Sequence, residues 1–237
     1  MKILVACEYS GRVRDAFIRR GHDAMSCDLL PTDVPGPHYT GDVTNILGDG
    51  WDMLIAHPPC TYLTIAAEWC YSDVQKKKRG IGKLYGAERR AAREEALQFV
   101  ALLAASPIKR IAIENPVGVI STRLGRQPTQ TIQPYWFGED ASKATCLWLK
   151  NLPPLVSTHT INPRMVCKCG HTFQSDTTDR YGCPNCEGEH KALPRWGNQT
   201  DSGQNKLPPT ADRWKIRSET YMGIAEAMAD QWGMPNV

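Results

Sequence analysis

Two short peptides in this 237-residue chain carry residue types suited to covalent chemistry on a bound substrate. In His57-Pro58-Pro59-Cys60-Thr61, an apolar run over residues 51–56 stops at two prolines, which fix the backbone and present a thiol. A cysteine so placed can act as a nucleophile when its neighbours favour the thiolate. In Ile113-Glu114-Asn115-Pro116, a second apolar run ends on a carboxylate. Burial there can lift its pKa towards neutrality and let it exchange a proton with a substrate. A plain structural thiol and an ordinary strand-end salt bridge are the competing readings. A third cluster is Cys167-Lys168-Cys169, then thirteen residues, then Cys183-Pro184-Asn185-Cys186. Paired thiols at this spacing, with Gly170 and Gly182 beside them, match a tetrahedral zinc site, and four thiolates make a closed, structural one. His171 and His190 are spare candidates.

The elements that position these residues alternate. Residues 2–7, 23–27, 51–56, 109–113 and 145–149 read as strands. Helices are expected from Val13 to Arg20, over 86–105, and from about Ser218 to Trp232. The proline-rich stretch 31–40 and the polar stretch 197–210 read as loops. Strands alternating with helices imply a parallel sheet covered on both faces, with ligands bound beyond the carboxyl ends of its strands. Glu8, Asp28, Cys60 and Glu114 all fall at those ends. The turn Glu8-Tyr9-Ser10-Gly11 opens the first helix, where backbone N–H groups favour anions. Asp28 sits where nucleotide-binding folds place a carboxylate for ribose hydroxyls. Asp42 follows Gly41 and is placed to contact a base. Helix capping or a solvated loop acid explains either aspartate as well.

Bulk properties narrow the class without deciding it. The 28 basic and 25 acidic residues leave a formal charge of +3, so only a local cluster could draw nucleic acid. One such cluster is Lys76, Lys77, Lys78, Arg79, Lys83, Arg89, Arg90 and Arg93. It begins sixteen residues after Cys60 and reads as a loop closing on phosphates, against the usual solvated face. No apolar run approaches the roughly 18–20 residues of a membrane span. The N-terminus is a poor signal peptide, and nine cysteines, several within apolar runs, suit a reducing cytoplasm.

Pro58-Pro59-Cys60 followed by Glu114-Asn115 resembles the DNA cytosine-5 methyltransferases, whose signatures are a Pro-Cys nucleophile and a Glu-Asn pair. The likeness covers residues 1–125 and, more faintly, the C-terminal helix; small phage-encoded cytosine methyltransferase-like proteins are the most similar overall. It implies an α/β, Rossmann-like S-adenosylmethionine-dependent methyltransferase fold, into which the cysteine spacing places a small inserted zinc ribbon. The implied domains are a catalytic core at 1–163, the ribbon at 164–190, and a loop and helix at 191–237 returning to the core. By the same likeness Glu8, Tyr9, Ser10 and Gly11 form the cofactor loop with Pro58, Asp28 contacts ribose and Asp42 contacts adenine. Cys60 would add to C6 of a cytosine flipped out of double-stranded DNA, Glu114 would assist at N3, and Asn115 would complete the catalytic group. Lys76, Lys77, Lys78, Arg79, Lys83 and Lys143 would contact nucleic acid.

The chain departs from that pattern at several positions. Thr61 stands where the family has Gln, and Pro116 where it has Val. The first turn has one glycine instead of several. Gln133 and Lys143 are the nearest match to a Gln-x-Arg-x-Arg element, and no large target-recognition domain exists. The rival expectations are transfer of a modified methyl group from a cofactor derivative, action on another pyrimidine substrate, and a catalytically degenerate fold that only binds nucleic acid. A phage-encoded protein acting in a host cytoplasm is the expected setting.

Overall fold

The computed structural model describes residues 1–65, 68–74, 84–175 and 181–234. Two compact units divide the chain. The first comprises residues 1–132, 145–154 and the stretch from Ala229 onward; the second comprises 133–144 and 155–228.

In the first unit, β1 (Lys2–Ala6), α1 (Arg12–Arg19), β2 (Asp23–Asp28), β3 (His38–Thr40) and β4 (Met53–Ala56) follow in order. Then come α2 (Gly86–Ala105), β5 (Arg110–Pro116), the single-turn α3 (Ile120–Arg123), β6 (Gln130–Ile132) and β7 (Thr145–Lys150). The seven strands form one sheet in the order β3-β2-β1-β4-β5-β7-β6. Strands β3, β2, β1, β4 and β5 pair in parallel, while β7 runs antiparallel to both β5 and β6. This is a doubly wound order with an antiparallel strand set between β5 and the edge. Ile3 to Ala6 and Met53 to Ala56 are wholly buried, as expected of central parallel strands covered on both faces.

Three expectations need correction. Residues 38–40 are a strand, β3, paired with Ser26–Asp28, although the prolines at 31, 35 and 37 suggested loop throughout. The prolines all precede the pairing, and the Pro37 carbonyl accepts from Ser26 N–H (3.1 Å), so no missing N–H interrupts it. The last helix, α5 (Met222–Trp232), begins four residues later than the expected start near Ser218, and a separate short helix, α4 (Arg213–Ser218), precedes it. Arg89 and Arg93 are buried. They stand two turns and one turn before Leu97 on α2, in phase with its inward stripe, and so are not phosphate-facing charges.

In the second unit, β8 (Arg164–Val166), β9 (Thr172–Gln174), β10 (Tyr181–Gly182) and β11 (Lys191–Arg195) form a separate antiparallel sheet, ordered β10-β11-β8-β9. Its core is small: Met165, Cys167, Cys183 and Ala192, with Phe173 and Cys186 against them.

Candidate active site

Register explains how the two chemistry-bearing peptides meet. Ala6, Ala56 and Ile113 form one row across β1, β4 and β5. One residue further on, His57 and Glu114 are neighbours on parallel strands and share a face of the sheet. Their side chains join, His57 Nδ1 to Glu114 Oε2 at 3.1 Å, with only 7% and 14% of those side chains exposed. Asn115, on the opposite face, is buried and donates from Nδ2 to the Pro58 carbonyl at 2.8 Å. It thereby pins the Pro-Pro turn that carries Cys60.

Beyond Cys60 the chain turns back at once. The Cys60 carbonyl accepts from Leu63 N–H (3.0 Å) and Thr64 N–H (3.2 Å), and the Leu63 carbonyl accepts from Val119 N–H (2.7 Å). Gly118 makes this approach feasible, because a Cβ there would collide with the Leu63 carbonyl. Cys60 itself is exposed. Three contacts therefore tie the β4 and β5 loops together. They are His57 to Glu114, Asn115 to Pro58, and Val119 to Leu63.

A second support comes from α2. Arg93 donates from Nε to the Tyr62 carbonyl (2.9 Å) and grips Glu68 with both guanidinium nitrogens (2.9 and 2.7 Å). Its guanidinium also lies over the Tyr71 ring, 3.4 Å from the centroid. Arg89 donates to the Thr61 carbonyl (3.4 Å) and stacks near Tyr62 and Tyr71. Residue types in phase with the buried stripe of α2 were the sequence signal for this role.

The first turn is organised from within. Gly11 adopts a left-handed φ of 72°, open to glycine without strain. Buried Glu8 accepts from Val13 N–H (2.7 Å) and Arg14 N–H (3.2 Å), and from the Ser10 hydroxyl (3.4 Å). The anion expected at this helix N-terminus is thus the protein's own carboxylate. Burial pushes Glu8 above the ordinary carboxylate range, opposed by the His57 charge and the two N–H groups. Arg14, fully buried, ties α1 to β2 through Ser26 and to the loop after β2 through Thr32, Val34 and Pro35. No local pattern in the sequence marks Arg14 for that role.

Beside this turn lies a cavity of about 360 Å³, within the usual range for small-molecule pockets. Asp28, Asp42 and Gly41 line one part, Pro58, Pro59 and Tyr62 another, and Ala96 and Phe99 of α2 complete the apolar wall. Asp28 is raised by burial, against the Leu30 N–H that its carboxylate accepts. Asp42 accepts from Thr44 N–H and the Thr44 hydroxyl, both at 2.9 Å. Carboxylates flanking an apolar slot suit a group with hydroxyls and a flat ring, and adenosine has both. Asp28, Asp42 and Pro58 meet at this cavity; Glu8, Tyr9, Ser10 and Gly11 do not line it.

In the second unit the four cysteine sulfurs lie within 4.8 Å of one another. Cys167 to Cys186 is 3.9 Å and Cys169 to Cys183 is 3.6 Å. A tetrahedral zinc with bonds of about 2.3 Å requires sulfur pairs roughly 3.8 Å apart, so the donor set fits. Among the described residues neither His171 nor His190 joins the cluster. Lys143 and Gln133 do come together: the Lys143 backbone N–H donates to Gln133 Oε1 (3.0 Å), and its amine to the Arg217 carbonyl (3.1 Å). Lys76, Lys77, Lys78, Arg79 and Lys83 lie outside the described residues.

No protein-family model matches the chain, and no curated protein matches it. One solved structure that does is an E. coli prophage protein described as a "putative DNA modification methyltransferase". The two are 11% identical over 76% of this chain, with a TM-score of 0.38, and the match spans 59% of that protein. At that similarity it assigns no activity. No described helix is long and apolar enough to cross a membrane.

Proposed function

We propose that this protein is an S-adenosylmethionine-dependent methyltransferase acting at C5 of cytosine in DNA, with Cys60 as nucleophile and Glu114 as acid. The observation that carries this reading is the locking of the Pro-Pro-Cys turn to the Glu-Asn loop at adjacent strand ends, beside a cavity edged by Asp28, Asp42 and Pro58. Bound in that cavity, the cofactor would supply an electrophilic methyl group. Asp28 would hold its ribose hydroxyls and Asp42 its base, between the apolar surfaces of Pro58 and Phe99. Cytosine C5 is a poor nucleophile until C6 is attacked. Cys60 thiolate adds at C6, and Glu114 gives a proton to N3, so that charge does not build on the ring. Once C5 carries the methyl group that the cofactor would supply, loss of the C5 proton expels Cys60 as thiolate, and N3 returns its proton to Glu114. An exposed thiol on a rigid turn suits a base delivered from outside the protein, flipped from its duplex. Lys76, Lys77, Lys78, Arg79, Lys83 and Lys143 are proposed phosphate contacts, and the four cysteines are proposed to hold a structural zinc ion that supports the small sheet.

The test uses duplex DNA, labelled cofactor and digestion to nucleosides, with 5-methylcytosine as the expected labelled product. A duplex carrying 5-fluorocytosine should trap the protein covalently, because fluorine cannot leave C5 as a cation. The adduct should map to the Cys60 peptide and vanish in Cys60→Ser. Label on an exocyclic amine, or normal methylation by Cys60→Ser, would refute the mechanism. Another labelled pyrimidine, a transferred group heavier than methyl, or no transfer at all would favour the corresponding rival reading.

A further inference from the structure

The mechanism above leaves His57 without a task, yet its placement is unusual. The imidazole is almost fully buried, its Nδ1 contacts Glu114 Oε2 at 3.1 Å, and its Nε2 has no partner among the described residues. A buried polar nitrogen left unpaired costs about 1–3 kcal/mol, and an aliphatic side chain at this position would avoid that cost. The contact with Glu114 is what the imidazole adds. Its backbone N–H is also bound, to the Ala6 carbonyl at 2.9 Å, so the ring projects from a fixed point on the sheet. On the β1 side the buried Glu8 carboxylate feels the His57 charge. Glu8 is held in turn by the N-terminus of α1.

We propose that His57 is a positioning residue for Glu114: its Nδ1–H holds Oε2, so that Oε1 bears the proton delivered to the pyrimidine. This rests on the function proposed above. In the step concerned, the O–H bond of Glu114 breaks and an N3–H bond forms on the ring. The carboxylate left behind keeps the Nδ1–H donor on Oε2, which stabilises its new charge. His57 retains its own proton throughout. Its role resembles that of an orienting group behind a catalytic acid, one step removed from the substrate.

The experiment compares His57→Ala, His57→Asn and His57→Gln in steady-state methylation of duplex DNA, alone and in a Glu114→Gln background. His57→Ala should lower kcat by about 10–100-fold, with KM for DNA and cofactor within roughly threefold. Asn places an N–H at the δ position and should recover most of kcat; Gln places it one atom further and should not. In the Glu114→Gln background, His57→Ala should cost little more, because the amide has no acid proton left to position. A role limited to packing would act independently of Glu114 and would persist undiminished there. Unimpaired kcat in His57→Ala, no difference between Asn and Gln, or full additivity with Glu114→Gln would each overturn the proposal. If His57→Ala does not fold, the Asn and Gln pair decides alone. Wild-type protein that methylates no cytosine would defeat the functional reading itself, whereas active wild type with indifferent His57 variants defeats only this inference.

Discussion

Gly118→Ala probes the lock between the two loops most directly. A Cβ at this position would fall on the Leu63 carbonyl oxygen, and would lie 2.9 Å from the Leu63 carbonyl carbon and 3.1 Å from Thr64 Cα. These are backbone atoms, and Leu63 is fully buried, so no flexible side chain can give way. To restore ordinary contact the turn must retreat by about 1 Å or more. That retreat breaks the 2.7 Å bond from Val119 N–H and loosens the seat of Leu63. Overpacking and a lost buried hydrogen bond together should destabilise the first unit by about 2–4 kcal/mol. In a protein of this size the melting temperature should fall by roughly 5–15 °C. Gly48→Ala is the control, since a Cβ there meets nothing within 4 Å; its effect should stay within about 0.5 kcal/mol. Thermal melts followed by circular dichroism, with trapping on 5-fluorocytosine duplex in parallel, measure both consequences. The alanine variant should also trap more slowly, because the displaced turn carries Cys60. If Gly118→Ala melts and traps like wild type, the two loops are not locked as described.

Glu8 gives a pH prediction. Burial raises its pKa above the ordinary 4.5, so the folded protein binds this proton more tightly than the unfolded chain. The stabilisation is complete below 4.5 and is lost as pH rises through the folded value. Glu8→Gln should flatten that part of the stability profile, and an unchanged profile in denaturant titrations would exclude burial as its cause. Replacing Cys183 and Cys186 with serine should remove about one zinc ion per chain by elemental analysis and unfold the small sheet. Its few core residues include two of the four thiols, with a third packed against them, leaving little else to hold it. Retained metal or unchanged protease resistance would refute the site. Asp28→Ala should weaken cofactor binding by calorimetry roughly tenfold, as expected for one hydrogen bond to a charged group; equal affinity would move the ribose elsewhere.

The sheet was legible because its central strands are continuous apolar runs that end on polar residues, and Cys60 and Glu114 stand out for the same reason. The cysteine cluster was legible from spacing alone. What escaped depends on three-dimensional partners. Three residues of β3 are too few for periodicity, and their pairing with β2 is the only reason they are a strand. Arg89 and Arg93 were hidden by a charge run, and only their phase with Leu97 distinguishes them from Arg90, which is exposed and pairs with Asp73. His57 was visible as a letter beside the prolines, but its contact needs the β4–β5 register. Arg14 serves a loop up to 21 residues away, and no local pattern announces such a bond.

Strand β7 is flanked on both sides by segments of the second unit, residues 133–144 before it and 155 onward after it. The chain therefore passes between units four times, and neither unit is one continuous stretch. During synthesis on a ribosome, β5 emerges complete while the strand that covers its far edge is still about 30 residues from being made. Until then the nascent chain carries an open β-edge next to the Glu114 loop. Sheet closure must wait for non-local pairing, a slow kind of step. Any attempt to graft the second unit elsewhere, or to exchange it between proteins, must therefore carry two segments and bridge the place where β7 runs between them.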